Sequence, residues 1–381
     1  MKRNIYLMYT IAFFQSMVFY GPVSTLYRQA QGVSIFQITV IESICLILSI
    51  LLEIPWGVIA DKIGYKKTMV FCCCLYFLSK IVFWQAKSFS WFLAERIMLS
   101  AVFAGLSGVD ISILYLSCEG ENSQKVFGVY NSLQMIGLLI AATIFSFFVG
   151  ENYSLSGFLT VISYGIAAFL SLCLVEIRPK ESHQICVKQF KAVLFKTLHN
   201  KNLVLFLIAV ALLSETHQTI TVFLNQLQYE KCGLNNSAIG YIYIVATLIG
   251  ICGVCSAKFT QRISVKTAGI FFGSMFTACC IILSLSNSAS LSICGILVLR
   301  ISDSLFQPFQ TEIQNQQVHT VYRATALSIH AMIIDSIAVG TNLVFGALAE
   351  LDLTMAFSFG AIICIISIGL FSIWYRNSTK R

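Results

Sequence analysis

The chain has 381 residues, of which 57% are hydrophobic and only 11% are charged. A soluble domain is typically about one quarter charged, so this composition excludes a water-soluble globular protein. The net charge of +8 comes from lysines and arginines spread over short connections rather than massed in one arm, which argues against a nucleic-acid-binding protein.

Apolar runs of about 20 residues recur along the chain, and each is long enough to cross a ~30 Å hydrocarbon layer as a helix. The first run is too long for a signal peptide and lacks a small-residue cleavage site, so it is expected to remain as a span. The predicted spans, numbered one to twelve in chain order, are residues 5–27, 35–60, 67–86, 91–117, 125–149, 155–176, 202–227, 237–257, 267–286, 290–313, 324–348 and 354–375. The predicted fold is therefore an all-α membrane protein with 12 transmembrane helices.

A polar segment from Arg178 to Lys201 separates the sixth span from the seventh. Its apolar residues recur at helical spacing opposite lysines, which predicts an amphipathic helix on an anionic membrane face. The predicted organisation is an N-terminal six-helix bundle at 1–177, a cytoplasmic linker at 178–201 and a C-terminal six-helix bundle at 202–381.

The basic residues predict the orientation of the spans. If both termini and the linker are cytoplasmic, only Arg28, Lys87 and Lys231 of the 25 lysines and arginines fall in outer connections, and three more lie within spans. All the others are then on the inner side, as the positive-inside rule requires. Both termini are therefore predicted to be cytoplasmic.

The 14 cysteines include Cys72-Cys73-Cys74 and Cys279-Cys280, which lie within apolar runs and lack the spacing of a disulfide framework. They are interpreted as small packing residues. Cys252 and Cys255 have the CxxC spacing of metal sites, but no second ligand pair accompanies them, so no metal site is expected. No nucleophile elbow, phosphate loop or HExxH pattern occurs, so we expect neither an enzyme nor a bound cofactor.

Polar residues recur in the fourth and tenth spans with the same intervals. In each span the residues are separated by intervals of 4, 7 and 3, and the second set lies 204 residues after the first. The first set is Arg96, Ser100, Ser107 and Asp110, and the second is Arg300, Ser304, Thr311 and Gln314. Such self-similarity is expected when two halves derive from one unit. It predicts that the two bundles are pseudo-symmetric.

Span seven carries polar residues at intervals of 4, 3, 4 and 3 residues: Ser214, Gln218, Thr221, Asn225 and Gln228. Such polar stripes predict a water-filled pathway, because a charged group at mid-bilayer costs about 2.5 to 3.5 kcal/mol. Arg300 and Asp303 are equally compatible with neutralising each other along the helix. His217 is interpreted as a satisfied polar residue rather than a metal ligand. The candidate substrate-cavity residues are Arg96, Ser107, Gln218, Thr221, Asn225, Arg300, Asp303 and Gln307.

Proton coupling needs a carboxyl group whose affinity for a proton changes as its surroundings become wet or dry. The candidates are Asp110, Glu215 and Asp335. Asp110 is favoured because its spacing places it on the same helix face as Arg96. Asp335 is equally compatible with an interhelix hydrogen bond.

The turn after the second span ends an apolar run with glycines, an acid and lysines. We call Gly57, Asp61, Lys62, Gly64, Lys66 and Lys67 the gate motif. Gly57 and Gly64 permit close helix approach, and Asp61 is suited to accept hydrogen bonds from a helix N-terminus or an arginine. This turn is predicted to mark the inner membrane edge.

Residues 57–67 resemble the inner-loop signature of the major facilitator superfamily, roughly G-x-x-x-D-R-x-G-R-[RK]. The resemblance implies that the gate motif holds a cytoplasmic gate, supported by Glu53, Pro55 and Arg323, and that spans one, four, seven and ten line a central cavity. Lys62 and Tyr65 replace the usual arginines, so bidentate charge pairing is lost there.

Glu53-Ile-Pro55 and Gly108-Val-Asp110 look like variants found in bacterial efflux-type members. The implied function is alternating access with proton-coupled export of a small amphipathic molecule or drug, by a monomer in the bacterial cytoplasmic membrane. Its partners are the substrate, protons and the bilayer, with no nucleic acid. Six aromatic residues near the expected cavity suit such a cargo: Phe13, Phe14, Tyr20, Phe103, Phe223 and Phe306.

Two alternatives remain open from the sequence. The run from Gly128 to Gly137 in span five lacks the proline typical of drug exporters, which weakens drug–proton antiport. Proton-coupled uptake of a small nutrient or organic anion is the first alternative, with Arg96 and Arg300 as sites for an anionic group. A non-transporting membrane sensor is the second.

Overall fold

The structure is a computed structural model that describes residues 2–118, 123–177, 187–256, 260, 263–318 and 323–379. The side chains of a few helical residues, including Gly57, Asp61 and Arg323, lie outside the described set. Within the described ranges the chain forms helices and no strand. The all-α prediction is therefore confirmed.

Sixteen α-helices are numbered here in chain order. They are α1 (Lys2–Ser16), α2 (Ser24–Ala30), α3 (Ile35–Ile63), α4 (Tyr65–Gln85), α5 (Phe89–Leu106), α6 (Val109–Ser117), α7 (Ser123–Ile144), α8 (Tyr153–Leu172), α9 (Val187–His199), α10 (Lys201–Thr219), α11 (Asn225–Lys231), α12 (Asn236–Ile249), α13 (Val265–Leu285), α14 (Ala289–Gln316), α15 (Arg323–Leu351) and α16 (Leu353–Ser378). Two π-helical turns, Phe145–Val149 and Ile220–Leu224, continue α7 and α10, and 3₁₀ turns occur at Gly21–Val23 and Gly250–Cys255.

Eleven helical segments of the described chain are long and apolar enough to cross a membrane. They correspond to predicted spans two to twelve. Their bounds are Ile35–Glu53, Tyr65–Gln85, Phe89–Ser117, Lys125–Val149, Tyr153–Leu172, Lys201–Lys231, Asn236–Gly253, Val265–Leu285, Ala289–Gln316, Thr325–Leu351 and Leu353–Ser378.

The predicted first span is not one helix. Helix α1 ends at Ser16, a 3₁₀ turn follows at Gly21–Val23, and α2 begins at Ser24. Pro22 lies in that turn and has no N–H to donate to a continuing helix. The expectation of a continuous helix over residues 5–27 is therefore corrected, and a count of twelve spanning helices stays a prediction.

The chain divides into two compact units. Unit 1 comprises Met1–Val33, Ile44–Gln184 and Asn235–Ile244. In this unit α4 packs against α5 and α8, while α1 packs against α7 and α8. The buried Asn4 side chain donates to the Val175 carbonyl at 2.9 Å and accepts from the Val175 N–H at 2.9 Å, so it fixes α1 to the segment after α8.

Unit 2 comprises Ser34–Ser43, Ile185–Leu234 and Val245–Arg381. Helix α13 packs against α14 and α16, and α10 packs against α15 and α16. Aromatic rings fill part of this core: Phe306 is fully buried, with its ring centroid 5.6 Å from that of Phe272 and 6.2 Å from that of Phe276. Phe306 is thus a packing residue.

Helix α16 begins at an acidic cap. The Asp352 carboxylate accepts a hydrogen bond from the Thr354 backbone N–H at 2.7 Å, and this bond holds the pKa of Asp352 below its usual range. Because the pKa is lower in the folded state, the stabilisation is complete above the unfolded pKa of about 4 and is lost as the pH falls through the lower folded-state value.

We expect Asp352→Ala to lower the melting temperature at pH 7 and to converge with the wild type as the pH falls through the lowered pKa of Asp352. Melting curves of the detergent-solubilised protein between pH 7 and pH 3 measure this. Asp352→Asn is the control, since its amide oxygen still caps the helix without titrating. An Ala effect that does not change with pH contradicts the assignment.

Candidate functional site

Span four is broken where the sequence predicts a continuous polar face. Helix α5 ends at Leu106, Gly108 has a φ of +80°, and α6 begins at Val109. Glycine adopts this left-handed conformation at little cost. Ser107 is exposed at the break, and Asp110 lies on a separate helix from Arg96, so the predicted face is interrupted.

Asp110 occupies the first turn of α6 and has two hydrogen-bond partners. Its Oδ1 accepts from the Ile111 N–H at 2.7 Å and its Oδ2 accepts from the Tyr130 hydroxyl of α7 at 3.3 Å. A carboxylate at a helix N-terminus is stabilised by the helix dipole. Asp110 therefore ties α6 to α7, which the sequence did not indicate, and its role in proton coupling stays a prediction.

A buried ionic cluster in unit 1 was missed by the sequence analysis. The Lys80 ammonium lies 3.5 Å from Glu95 Oε1 and donates to the Tyr20 hydroxyl at 3.0 Å. Arg96 Nε lies 3.6 Å from Glu95 Oε2. We call Lys80, Glu95, Arg96 and Tyr20 the Lys80–Glu95 cluster; its Glu95 carboxylate serves two cations.

Three tyrosine rings surround the Lys80 ammonium. Its distances to the ring centroids are 5.0 Å for Tyr76, 5.3 Å for Tyr164 and 5.7 Å for Tyr20. Cation–π attraction is strongest when both partners are shielded from water, and Lys80 is only 4% exposed. The rings and Glu95 together compensate for burying this charge.

In unit 2, four polar residues of spans seven and ten come together on α10, α14 and the π turn after α10. His217 Nδ1 lies 3.2 Å from Asp303 Oδ2, while His217 Nε2 lies 3.4 Å from an Arg300 guanidinium nitrogen and 3.3 Å from Thr221 Oγ1. We call these residues the His217–Asp303 cluster. The two central side chains, His217 and Asp303, are each 3% exposed.

The geometry of this cluster assigns the histidine tautomer. A guanidinium can only donate, so His217 Nε2 accepts and the ring proton resides on Nδ1, where it faces Asp303. Asp303 Oδ1 is buried and has no hydrogen-bond partner among the described residues. The sequence leaves open whether Arg300 pairs directly with Asp303; the ion pairs of the described chain do not include that contact, and His217 contacts both residues instead.

The other two candidate proton carriers also belong to unit 2. Glu215 is 7% exposed, and the Thr219 hydroxyl lies 2.9 Å from Glu215 Oε1 and 2.9 Å from Asn342 Oδ1. Asp335 and Glu42 are close enough to interact electrostatically with Glu215. Unit 2 therefore contains two of the three candidate proton carriers, Glu215 and Asp335, within electrostatic reach of each other. In the described chain, no three metal-ligating side chains are placed to hold a metal ion.

The predicted stripe on span seven does not persist beyond Thr221. The π turn at Ile220–Leu224 inserts extra residues into the helical spacing, so Asn225 and Gln228 leave the predicted face. Gln228 is buried and donates to the Ser286 carbonyl at 3.0 Å and Ser292 Oγ at 2.9 Å. Gln218 and Gln307 are exposed, and no described contact joins them to the His217–Asp303 cluster.

The gate motif lies at the junction of α3 and α4. Lys62 and Lys67 are exposed and Lys66 is half-buried, while Gly57 and the side chain of Asp61 lie outside the described residues, as does that of Arg323. Within α3, Glu53 is half-buried and Pro55 is exposed. The gate function therefore stays a prediction.

An acid that the sequence analysis missed lies against this junction. Glu176 Oε1 accepts from the Lys66 backbone N–H at 3.3 Å, at the N-terminus of α4. A Cβ added at Gly64 would lie 2.7 Å from the same oxygen, and Gly64 has a φ of +95°. Glycine is needed here both for its backbone conformation and for the approach of Glu176.

We expect Gly64→Ala to destabilise the protein by about 1–3 kcal/mol, because alanine is strained at this φ and displaces the Glu176 carboxylate. Thermal unfolding in detergent measures the change. Gly128→Ala is the matched control, since a Cβ there meets nothing within 4 Å. Equal melting temperatures for Gly64→Ala and Gly128→Ala would contradict this prediction.

Comparisons with known proteins agree with this fold. The family model of the Major Facilitator Superfamily matches residues 5–341. The chain belongs to the major facilitator superfamily. This membership makes it a multi-pass membrane protein with a transporter fold, and not an enzyme.

Solved superfamily structures share this fold at low sequence identity. The chain is similar to the nucleoside transporter NupG, with 16% identity, a TM-score of 0.83 and coverage of 98% of this chain and 99% of that one. It is also similar to the D-xylose–proton symporter, with 10% identity, a TM-score of 0.74 and coverage of 97% and 96%. It is similar as well to a bacterial homologue of the human lysosomal transporter Spinster in an inward-facing and unoccupied conformation. The identity is 15%, the TM-score is 0.72, and the match covers 99% of this chain and 96% of that one. No curated protein matches the chain by sequence.

Proposed function

We propose that this superfamily member is a proton-coupled secondary transporter of a small polar molecule, working by alternating access. The observation that carries the proposal is the His217–Asp303 cluster, a titratable pair buried within two membrane spans. Charged groups are costly inside a membrane and usually have a functional role there.

The cluster contains the parts that coupled transport requires. Asp303 Oδ2 lies 3.2 Å from His217 Nδ1, so a proton that arrives at Asp303 Oδ1 changes the charge beside His217 and, through it, beside Arg300. Protonation and cargo binding at Arg300 then influence each other through the same carboxylate. One proton moving through 100 mV supplies about 2.3 kcal/mol, which is enough for a roughly fifty-fold gradient of a neutral cargo.

The side chains near this cluster favour a cargo with hydrogen-bonding groups. Arg300 and Thr221 are only half-buried, and Ser214 Oγ donates to Gln310 Oε1 at 3.3 Å on the same two spans. Solved relatives with this fold include a nucleoside transporter and a sugar–proton symporter. A polar nutrient taken up with a proton fits these donors and acceptors best.

Export of an amphipathic molecule is the second candidate. It is supported by the Gly108-Val-Asp110 variant, which forms the break between α5 and α6. The aromatic argument for it is weaker in the structure, because Phe223 and Phe306 are buried and Tyr20 stacks on Phe83 with ring centroids 4.0 Å apart. These rings pack against protein.

The remaining organisation is proposed in line with the superfamily fold. Twelve spans form two bundles at 1–177 and 202–381, joined by the linker at 178–201, with both termini in the cytoplasm of a bacterium and the protein as a monomer.

Asp61 of the gate motif is proposed to hold the cytoplasmic gate. Asp61→Asn is expected to stop transport without affecting membrane insertion; an active variant removes the gate assignment.

Transport by the purified protein in proteoliposomes with an imposed pH gradient tests the proposed function. The panel contains nucleosides, pentoses, organic anions and hydrophobic cations. Accumulation of a nucleoside, sugar or other small polar solute against its gradient supports the proposal. Movement restricted to hydrophobic cations favours the export candidate, and movement of none of the panel points to the sensor alternative.

A further inference from the structure

The corner between α9 and α10 carries an open depression at the end of a membrane span. The depression is lined by Phe195, Lys196, His199, Asn200, Lys201 and Asn202. Because the span starts at Lys201, this corner lies at the level where lipid headgroups meet the hydrocarbon layer. It is separate from the His217–Asp303 cluster and plays no part in the proposed transport chemistry.

The lining combines positive charge with exposed apolar surface. Lys196 and Lys201 are exposed, and none of the six lining residues is acidic. The Phe195 side chain is 64% exposed and the neighbouring Leu198 is 52% exposed. Lysines that flank exposed apolar side chains are the pattern of surfaces that bind anionic membranes.

The opposite face of α9 is anchored to the protein. Thr197 is buried, Val193 and Leu194 are half-buried, and the helix contacts α10 and α15. The apolar residues that the sequence assigned to the membrane therefore pack partly on unit 2, while Phe195 and Leu198 face outward. This anchoring fixes the orientation of the exposed face.

Hydrogen bonds also fix the floor of the depression. Asn200 caps α10 by accepting from the Leu203 N–H at 3.2 Å, and Asn202 donates to Ser378 Oγ at 2.7 Å. The second bond brings the C-terminal end of α16 to this corner, where the last turn contains the exposed Arg376. The positive charge is therefore presented by three helices held in place by the fold.

We propose that this corner binds the headgroup of an anionic phospholipid, with Lys196 and Lys201 contacting the phosphate and Phe195 and Leu198 contacting the first part of an acyl chain. The charge complementarity selects an anionic headgroup over a zwitterionic one. The exposed apolar pair selects a lipid over a soluble phosphate, since only a lipid covers both surfaces.

Native mass spectrometry of the full chain in mixed micelles of phosphatidylglycerol and phosphatidylcholine tests this proposal. The wild type is expected to retain phosphatidylglycerol preferentially. Each lysine near an anionic headgroup contributes about five-fold in affinity, so Lys196→Gln combined with Lys201→Gln should reduce the preference at least five-fold. Because the assay measures binding in micelles, its result is independent of transport.

The matched control combines Lys191→Gln with Lys266→Gln. This variant loses the same charge, from α9 and α13, but neither residue lines the depression. Retained preference in the control supports a defined site, whereas equal losses in both variants indicate diffuse attraction and overturn the proposal. Full displacement of phosphatidylglycerol by inorganic phosphate would also overturn it, because the acyl contact would then contribute nothing.

Discussion

Asp303→Asn is expected to abolish accumulation driven by a pH gradient while leaving exchange of cargo between equal pools intact. The asparagine keeps the size of the side chain and an acceptor for His217 Nδ1, which lies 3.2 Å from Asp303 Oδ2 in the wild type. It cannot carry a proton, so the coupling between proton and cargo is lost although the binding site persists. The ratio of cargo concentration inside to that outside should fall from as much as ~50 for a proton driving force of 100 mV to about one.

The matched control for this prediction is Glu312→Gln. Glu312 lies on the same helix, α14, but is exposed and bonds to Gln316 at 3.3 Å. The same chemical change there should leave accumulation unchanged. Gradient-driven accumulation that survives in Asp303→Asn contradicts the assignment and leaves Asp110, Glu215 and Asp335 as the candidate proton carriers.

Glu95→Leu is expected to have the largest effect on stability. The Glu95 carboxylate lies 3.5 Å from Lys80 Nζ and 3.6 Å from Arg96 Nε, and it is only 1% exposed. Removing it leaves two cations beside each other without their shared acid. Breaking a buried ion pair from one side costs about 3–5 kcal/mol, which thermal unfolding in detergent detects readily.

A double-mutant cycle separates the ion pair from simple packing. Lys80→Met combined with Glu95→Leu removes both charges, and replacement of a buried pair by apolar residues is often nearly neutral. The double variant should therefore recover much of the stability lost by Glu95→Leu. Additive losses in the double variant would show that the two charges do not stabilise each other.

The membrane architecture was predictable because length and hydropathy decide it. Eleven of the predicted spans correspond to helices of the described chain because a lipid environment requires long apolar helices. The break in span one was missed because Gly21-Pro22 is embedded in an apolar run, where hydropathy alone does not register a turn. The break at Gly108 was missed for the same reason.

The candidate site was predicted only in part. Arg300, Asp303 and Thr221 are predictable because they are polar residues within apolar spans. The role of His217 is not, because the sequence does not show that α10 and α14 bring it within 3.2 Å of Asp303. A π turn is likewise invisible to a fixed helical period, so the stripe was extended too far to Gln228.

The Lys80–Glu95 pair had a usable signal that was overlooked. The two residues lie at similar distances on either side of the short connection between α4 and α5. Antiparallel neighbouring helices joined by a short connection place such residues at the same depth. A buried lysine and a buried acid in these positions predict an ion pair, whereas Glu176 offered no comparable signal for its contact with α4.

Proton movement driven by cargo is the most direct measurement of coupled transport. Proteoliposomes that contain the wild-type protein and a trapped pH-sensitive dye are mixed, without any imposed gradient, with the polar solute found in the transport panel. We predict acidification of the lumen on cargo entry, absent in Asp303→Asn. Cargo entry without any change in luminal pH would contradict a proton-coupled transporter.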